Sequence, residues 1–99
     1  MSNDQLWLAS GLHQFQLVRC EVTAHRGRFG VDVTITSPQS GVPAFVDFIN
    51  LTDSDEHVTP AEFPSVGSIL EAVTLDIMPS GEMRLTARPS DVSRARHSA

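Results

Sequence analysis

Five arginines and one phenylalanine have side chains that could bind a nucleic-acid strand. The set is Arg19, Arg26, Arg28, Phe29, Arg84 and Arg88. Guanidinium groups bind phosphate oxygens through charge-assisted hydrogen bonds, and an exposed aromatic ring offers a base a stacking platform. The same arginines could instead pair with the abundant surface acids, and they would then take no part in binding. Both interpretations stay open from the residue types alone.

Acidic residues dominate the middle of the chain. The net charge is −5, yet residues 31–82 carry nine acids and no base, so this segment has a charge of −9. Residues 1–30 carry +1 and residues 83–99 carry +3. An acidic total discourages non-specific nucleic-acid binding. The two basic segments could still form a local basic face if they meet in space.

Residues that could support catalysis or bind a metal are scattered. No pair of histidines has ligand spacing, and the chain holds a single cysteine, so we expect no zinc site. The four histidines are His13, His25, His57 and His97. The carboxylates of Asp53, Asp55 and Glu56 do not complete a calcium loop. No nucleophile motif and no glycine-rich phosphate loop occurs. We therefore expect neither an enzyme nor a cofactor nor a small-molecule substrate.

The composition is that of one small globular domain. The chain has 99 residues, of which 40% are hydrophobic and 19% charged. No apolar run approaches the roughly 18 residues that indicate a membrane span. The first residues carry no positive charge ahead of their apolar residues, which argues against a secretory signal. Because Cys20 cannot form an internal disulfide, we expect a cytoplasmic protein. Because no apolar run is long enough to span a membrane, we also expect no membrane contact.

Alternation of apolar and polar residues predicts five strands. They cover residues 17–25, 29–36, 43–49, 68–77 and 82–88. The first strand places Val18, Cys20 and Val22 on its inner side, which predicts an inert core position for the cysteine. The fourth strand is apolar on both faces, so something must cover its outer face, and the N-terminal segment is the expected cover. Closing five short strands into a barrel would remove their exposed edges.

The segments outside the strands predict short or irregular structure. Residues 4–15 could form a short helix with Leu8, Leu12 and Phe15 on one face, and Trp7 could cover the barrel. A turn follows the first strand, with a bulge expected near Gly27 or Gly30. Residues 50–64 form an acidic connection between the third and fourth strands, and it should hold one helical turn near Ala61. The expected organisation is an N-terminal extension over 1–15, a barrel over 16–90 and a flexible tail over 91–99.

Several short motifs follow one another in a recognisable order. They are Phe29–Val33 (FGVDV), Ala44–Asp53 (AFVDFINLTD), Val66-Gly67-Ser68, Leu75-Asp76-Ile77 and Met83–Arg88 (MRLTAR). Over about residues 16–90 this order resembles the S-one domain, the RNA-binding repeat of ribosomal protein S-one. The resemblance implies an all-β fold, a five-stranded OB-fold barrel, here with a short N-terminal helical segment. It also implies single-stranded RNA as the partner.

The resemblance implies an RNA-binding face, and this sequence departs from the family there. The family carries two aromatic residues on its second strand and a histidine on its third. Phe29 fits the first aromatic position, but Asp32 and Asp47 occupy the other two places. Phe45 and Phe48 lie nearby with opposite parity, so only one of them should point inward. The predicted RNA-binding residues are Phe29, Arg19, Arg26, Arg28, Phe48, Arg84 and Arg88.

Two functions from different classes fit these observations. The first is an RNA or single-stranded nucleic-acid-binding module, weak and tolerant of sequence. The alternative is an acidic OB-fold module that has lost RNA binding and captures a basic protein, as an inhibitor or immunity protein would. Its predicted partner-binding residues are Asp32, Asp47, Asp53, Asp55 and Glu56. The double substitution Asp32→Phe, Asp47→His should strengthen RNA binding in the first case and damage partner capture in the second.

Overall fold

A computed structural model describes residues 2–54, 56 and 58–97, and its centre is a closed barrel. The strands are β1 (Leu17–His25), β2 (Gly30–Ser37), β3 (Gln39–Asp47), β4 (Ile69–Ile77) and β5 (Met83–Thr86). Their order around the barrel is β1-β2-β3-β5-β4. All neighbours are antiparallel except β3 and β5, which run parallel. The predicted five-stranded OB-type barrel is confirmed.

Aliphatic side chains at alternate strand positions fill the barrel. Val18, Cys20 and Val22 of β1 are buried, as their alternation predicts. Leu12 and Phe63 belong to the same core, and Trp7 packs against it while partly exposed. Burial raises the pKa of the Cys20 thiol to about 11, so the thiol stays protonated at neutral pH. It is a core residue without the thiolate character that reactivity requires.

The N-terminal helix is shorter than the sequence pattern predicts. Helix α1 spans Asn3–Ser10, with the side chain of Ser2 accepting a hydrogen bond from the backbone of Gln5. It ends where Gly11 adopts a left-handed φ of 73°. The predicted apolar face of Leu8, Leu12 and Phe15 is therefore wrong. Only Leu12 is buried, whereas Leu8 is 81% and Phe15 63% exposed, because Leu12 and Phe15 lie beyond the helix.

The segment expected to be a flexible tail is helical through His97. Helix α2 spans Pro89–His97, and it contacts parts of the chain that are distant in sequence. The carboxylate of Asp53 accepts hydrogen bonds from the backbone and hydroxyl of Ser90, at 2.9 and 2.6 Å. Arg96 pairs with Glu71 of β4 at 2.6 Å, and Val92 is buried. These contacts stabilise a segment whose polar composition indicates fraying.

Two segments share the outer face of β4. The N–H of Phe15 donates to the carbonyl of Thr74 at 2.8 Å, which extends the β1–β4 pairing, and the Phe15 side chain lines a cavity with Val73 and Leu75 of β4. Helix α2 packs on the same strand. The N-terminal segment predicted as the cover thus provides part of it. The short 3-10 helix at Pro60–Glu62 matches the predicted helical turn. Among the described residues, no helix is long and apolar enough to cross a membrane.

Candidate nucleic-acid interface

The turn between β1 and β2 presents the central residues of the predicted face. The N–H of Phe29 donates to the carbonyl of Arg26 at 3.0 Å, and the N–H of Arg26 donates to the carbonyl of Gly30 at 2.9 Å. The bulge lies at Thr23 in β1, between the pairs Val22–Val33 and Ala24–Asp32, and the prediction at Gly27 or Gly30 is wrong. Residues 26–29 form the turn. Because they lie outside the β1–β2 pairing, the chain reverses there without a bulge.

Phe29 and Arg28 form an open pair on this turn. The Phe29 side chain is 57% exposed, because β2 begins only at Gly30 and the ring does not join the inner set of that strand. The Arg28 guanidinium carbon lies 5.6 Å from the centre of the Phe29 ring. Arg28 has no ion pair with any described residue. The pair therefore offers a solvent-facing ring beside a cation that can contact a phosphate.

Phe45 forms a second platform, but it is covered. Ala44 and Val46 take the interior positions of β3, so Phe45 lies on the outer side of the barrel. Its side chain is nevertheless only 7% exposed. The Arg26 guanidinium carbon lies 4.2 Å from the ring centre and covers it. Gly30 lies against the ring, since a β-carbon there would come within 3.0 Å of it.

Two carboxylates hold Arg26 over Phe45. Its two terminal nitrogens donate to the two oxygens of Glu82 at 3.1 and 2.7 Å, and one of them also donates to Asp32 at 2.5 Å. The hydrogen bond from Arg26 is the main reason that the pKa of Glu82 is lowered. The bond to Glu82 likewise raises the pKa of Arg26. The predicted phosphate contact Arg26 is thus engaged within the protein.

Two further arginines of the predicted RNA-binding face, Arg84 and Arg88, also pair with acids. Arg84 donates to both oxygens of Asp76 at 2.7 and 2.5 Å, which lowers the pKa of that carboxyl. The hydrogen bond to Asp76 raises the pKa of Arg84, and the charge of Asp47 adds to the effect. Arg88 Nε lies 3.5 Å from an oxygen of Asp53. The alternative interpretation, that the arginines pair with surface acids, describes the observed contacts of both.

Arg19 and Phe48 are placed differently from the open pair. Arg19 lies seven residues before Arg26, a separation of about 23 Å along an extended strand. It is exposed and has no ion pair within the described part of the chain. Phe48 is partly buried against the core in the 3-10 helix Phe48–Asn50, and its N–H donates to the carbonyl of Phe29 at 2.9 Å. Phe45 and Phe48 have opposite parity, which predicted that only one of them points inward. Phe45 points outward and Phe48 packs against the core.

The predicted partner-binding acids are largely engaged within the chain. Asp32 holds Arg26, and Asp47 accepts from the N–H of Ile49 at 3.2 Å. Ser90 binds Asp53, and the hydroxyl of Ser90 is the main reason that the pKa of Asp53 is lowered. Glu56 is exposed. Asp55 lies outside the described residues.

Sequence reasoning missed three residues of this surface. Phe45, Glu82 and Asp76 were not among the predicted RNA-binding residues. Glu82 pairs with Arg26, Asp76 pairs with Arg84, and Phe45 lies beneath Arg26. The strand pairs place Phe45 beside Asp32 on one side and Arg84 on the other. The alternation of β3 carried a signal for Phe45, since Ala44 and Val46 flank it. No local signal connects Arg26 with Glu82.

Comparison with known proteins supports the fold assignment. No family model matches the chain, and no curated protein matches it. Among solved structures, the a/eIF2alpha–aDim2p–rRNA complex from Pyrococcus horikoshii OT3 matches with a TM-score of 0.67 and 15% identity over 87% of this chain and 51% of that chain. The intact alpha subunit of aIF2 from Pyrococcus abyssi matches with a TM-score of 0.64 and 15% identity over 78% of this chain and 29% of that chain.

GSP13 from Bacillus subtilis matches with a TM-score of 0.61 and 18% identity, over 89% of this chain and 60% of that chain. The chain thus spans about half of the first of these structures and less than a third of the second. At these identities the likeness establishes the fold. The chain and these neighbours share an OB-type barrel, the fold that the sequence resemblance predicts.

Proposed function

We propose that this protein is a single-stranded RNA-binding module of the S-one type that works in the cytoplasm. The observation that carries the proposal is the open pair, in which the Phe29 ring is 57% exposed beside Arg28, an arginine without an ion pair in the described part of the chain. A neighbour of the same fold occurs in a complex with rRNA, and another is a protein with nucleic acid binding domains. The free, buried thiol of Cys20 is compatible with a reducing compartment.

Binding should be weak and only moderately dependent on salt. Three predicted phosphate contacts, Arg26, Arg84 and Arg88, already pair with acids, which leaves Arg28 and Arg19 to meet phosphates. Each phosphate neutralised on a single strand contributes about −0.7 to the slope of log K against log salt. One or two contacts predict a slope of about −1. Stacking on Phe29 then supplies most of the affinity.

Fluorescence anisotropy with a labelled 12-mer of single-stranded RNA, from low to physiological salt, tests the proposal. We expect saturable binding that is weakened about tenfold in Phe29→Ala and to a smaller extent in Arg28→Ala. Phe15→Ala is a matched control, because Phe15 is 63% exposed beside β4 and outside the proposed face. Arg96→Ala is the matched control for charge, because Arg96 lies on α2 and pairs with Glu71. Absence of binding at low salt contradicts the proposal.

A second function, capture of a basic protein, is favoured by the charge of the same face. Three arginines stand there against four carboxylates, which leaves a net charge of −1. The seven residues are Arg26, Arg28, Arg84, Asp32, Asp47, Asp76 and Glu82. A labelled arginine-rich peptide that binds more tightly than the 12-mer RNA at the same salt concentration favours this function. The double variant Asp32→Phe, Asp47→His should then weaken peptide binding and strengthen RNA binding.

A further inference from the structure

The Arg26 guanidinium occupies a defined pocket on the outer face of the barrel. The Phe45 ring forms its floor, with the guanidinium carbon 4.2 Å from the ring centre. Glu82 forms one wall and accepts two N–H bonds from the two terminal nitrogens of the guanidinium. Asp32 forms a second wall and accepts one further bond. The pocket therefore fits a flat group that stacks on a ring and presents adjacent N–H donors to a carboxylate.

Guanine presents the same donor arrangement among the four RNA bases. Its Watson–Crick edge carries N1–H and the N2 amino group on one carbon, which is the N–C–N fragment of a guanidinium. Two such donors match the two oxygens of a carboxylate. Adenine and cytosine place a ring-nitrogen acceptor beside their amino group. Uracil places its single N–H between two carbonyl oxygens. In those three bases an acceptor would face an oxygen of Glu82 and be repelled.

We infer that the pocket is a guanine-selective base site, which the protein's own Arg26 occupies when no RNA is bound. A guanine of a bound strand displaces the guanidinium, stacks on Phe45 and donates N1–H and N2–H to Glu82. The released Arg26 becomes available to a phosphate beside the open pair. A base reaches this pocket as part of a bound strand, so the inference rests on the proposed function.

The exchange is feasible because Arg26 is held at the surface. Its side chain is 41% exposed, and those of Asp32 and Glu82 are 32% and 25% exposed. Ion pairs with such exposure add little net stability, since solvent competes for both partners. Guanine restores the two bonds to Glu82 and adds stacking on Phe45, whereas the other bases leave the carboxylate unpaired. The two bonds to Glu82 are thus replaced by one base and left unmade by the rest, while Asp32 returns to solvent in either case.

Binding to matched RNA hexamers measures the base preference. The probes are labelled uridine hexamers that carry guanosine, adenosine or inosine at the third position, together with the all-uridine hexamer. We expect the guanosine hexamer to bind about tenfold more tightly than the adenosine and all-uridine hexamers, as for a bidentate base contact. The inosine hexamer should fall between them, because inosine keeps N1–H but lacks the amino group.

Substitution of the carboxylate tests whether the pocket causes the preference. Glu82→Gln keeps the shape of the side chain but replaces one acceptor oxygen with an amino group. We expect it to lose the preference for guanosine and to keep the affinity for the all-uridine hexamer within about twofold. Glu71→Gln is the matched control, because Glu71 also pairs with an arginine, Arg96, at 2.6 Å. That variant should keep the preference.

The outcomes separate this inference from the proposed function. Equal binding of all four hexamers overturns the guanine site and leaves RNA binding in place. A guanosine preference that persists in Glu82→Gln also overturns the guanine site, because the preference then arises elsewhere. Failure of every hexamer to bind overturns the proposed function and the guanine site with it. A preference that Glu82→Gln removes and Glu71→Gln retains supports the site.

Discussion

Two arginines of the turn between β1 and β2 each lie against a phenylalanine ring. The two pairs differ in what else the arginine contacts. In the open pair, Arg28 lies 5.6 Å from a ring that is 57% exposed. In the closed pair, Arg26 lies 4.2 Å from Phe45, which is 7% exposed, and two carboxylates hold it there. The comparison teaches that acids from other parts of the chain, Asp32 in β2 and Glu82 just before β5, decide which arginine is available for a ligand.

The substitution with the largest expected effect removes the space beneath the closed pair. A β-carbon at position 30 would lie 2.1 Å from the carbonyl oxygen of Val46 and 3.0 Å from the Phe45 ring, at a φ of 144°. We therefore expect Gly30→Ala to lower the free energy of unfolding by about 3 kcal/mol, measured by chemical denaturation.

The matched control is Gly27→Ala in the same turn. Its φ of 54° is also left-handed, but a β-carbon there meets nothing within 4 Å. We expect a loss of about 1 kcal/mol from backbone strain alone. Equal losses in the two variants would contradict the close approach of Gly30 to the backbone of Val46 and the ring of Phe45.

Removing each ring in turn should separate stability from binding. Phe45 is buried, so Phe45→Ala should lower the free energy of unfolding by about 2–3 kcal/mol. Phe29 is exposed, so Phe29→Ala should change stability by less than about 0.5 kcal/mol and weaken binding of the 12-mer RNA about tenfold. Denaturation and anisotropy on the same preparations check both. A stability loss in Phe29→Ala as large as that in Phe45→Ala would break the comparison.

The two arginines should differ in the salt dependence of RNA binding. If Arg28 contacts one phosphate, Arg28→Ala should make the slope of log K against log salt less steep by about 0.7. Arg26→Ala should leave the slope for an all-uridine strand unchanged, because that arginine stays with Asp32 and Glu82. Anisotropy titrations at four salt concentrations provide both slopes. An equal change in the two variants would show that the closed pair opens on any RNA.

The smallest expected effect is the pH dependence of the closed pair. Arg26 lowers the pKa of Glu82 below its usual 4.5, so the ionised form is favoured in the folded protein. The resulting stability is present above about pH 4.5 and is lost as the pH falls through the lowered pKa. We expect the free energy of unfolding of the native protein to exceed that of Glu82→Gln by about 0.5 kcal/mol at pH 7, and this difference to shrink as the pH falls below 4.5. A difference that stays constant as the pH falls contradicts this origin.

Local patterns predicted much of the fold but little of the closed pair. The alternation of Val18, Cys20 and Val22 identifies β1 and its inner side, because both depend on neighbouring residues. Arg26 and Glu82 are 56 residues apart, and their contact depends on the closure of the barrel. Helix α2 was missed for the same reason, since Asp53 and Glu71 stabilise it from distant segments.

The closed barrel also determines when the fold can be completed. One edge of the β1-β2-β3 meander pairs with β4 and the other with β5. Until β5 has been synthesised, an outer strand of that meander retains unpaired backbone groups that can pair with another chain. Closure requires contacts between residues far apart in sequence, which form slowly. During synthesis the nascent protein is therefore most prone to association before β5 emerges.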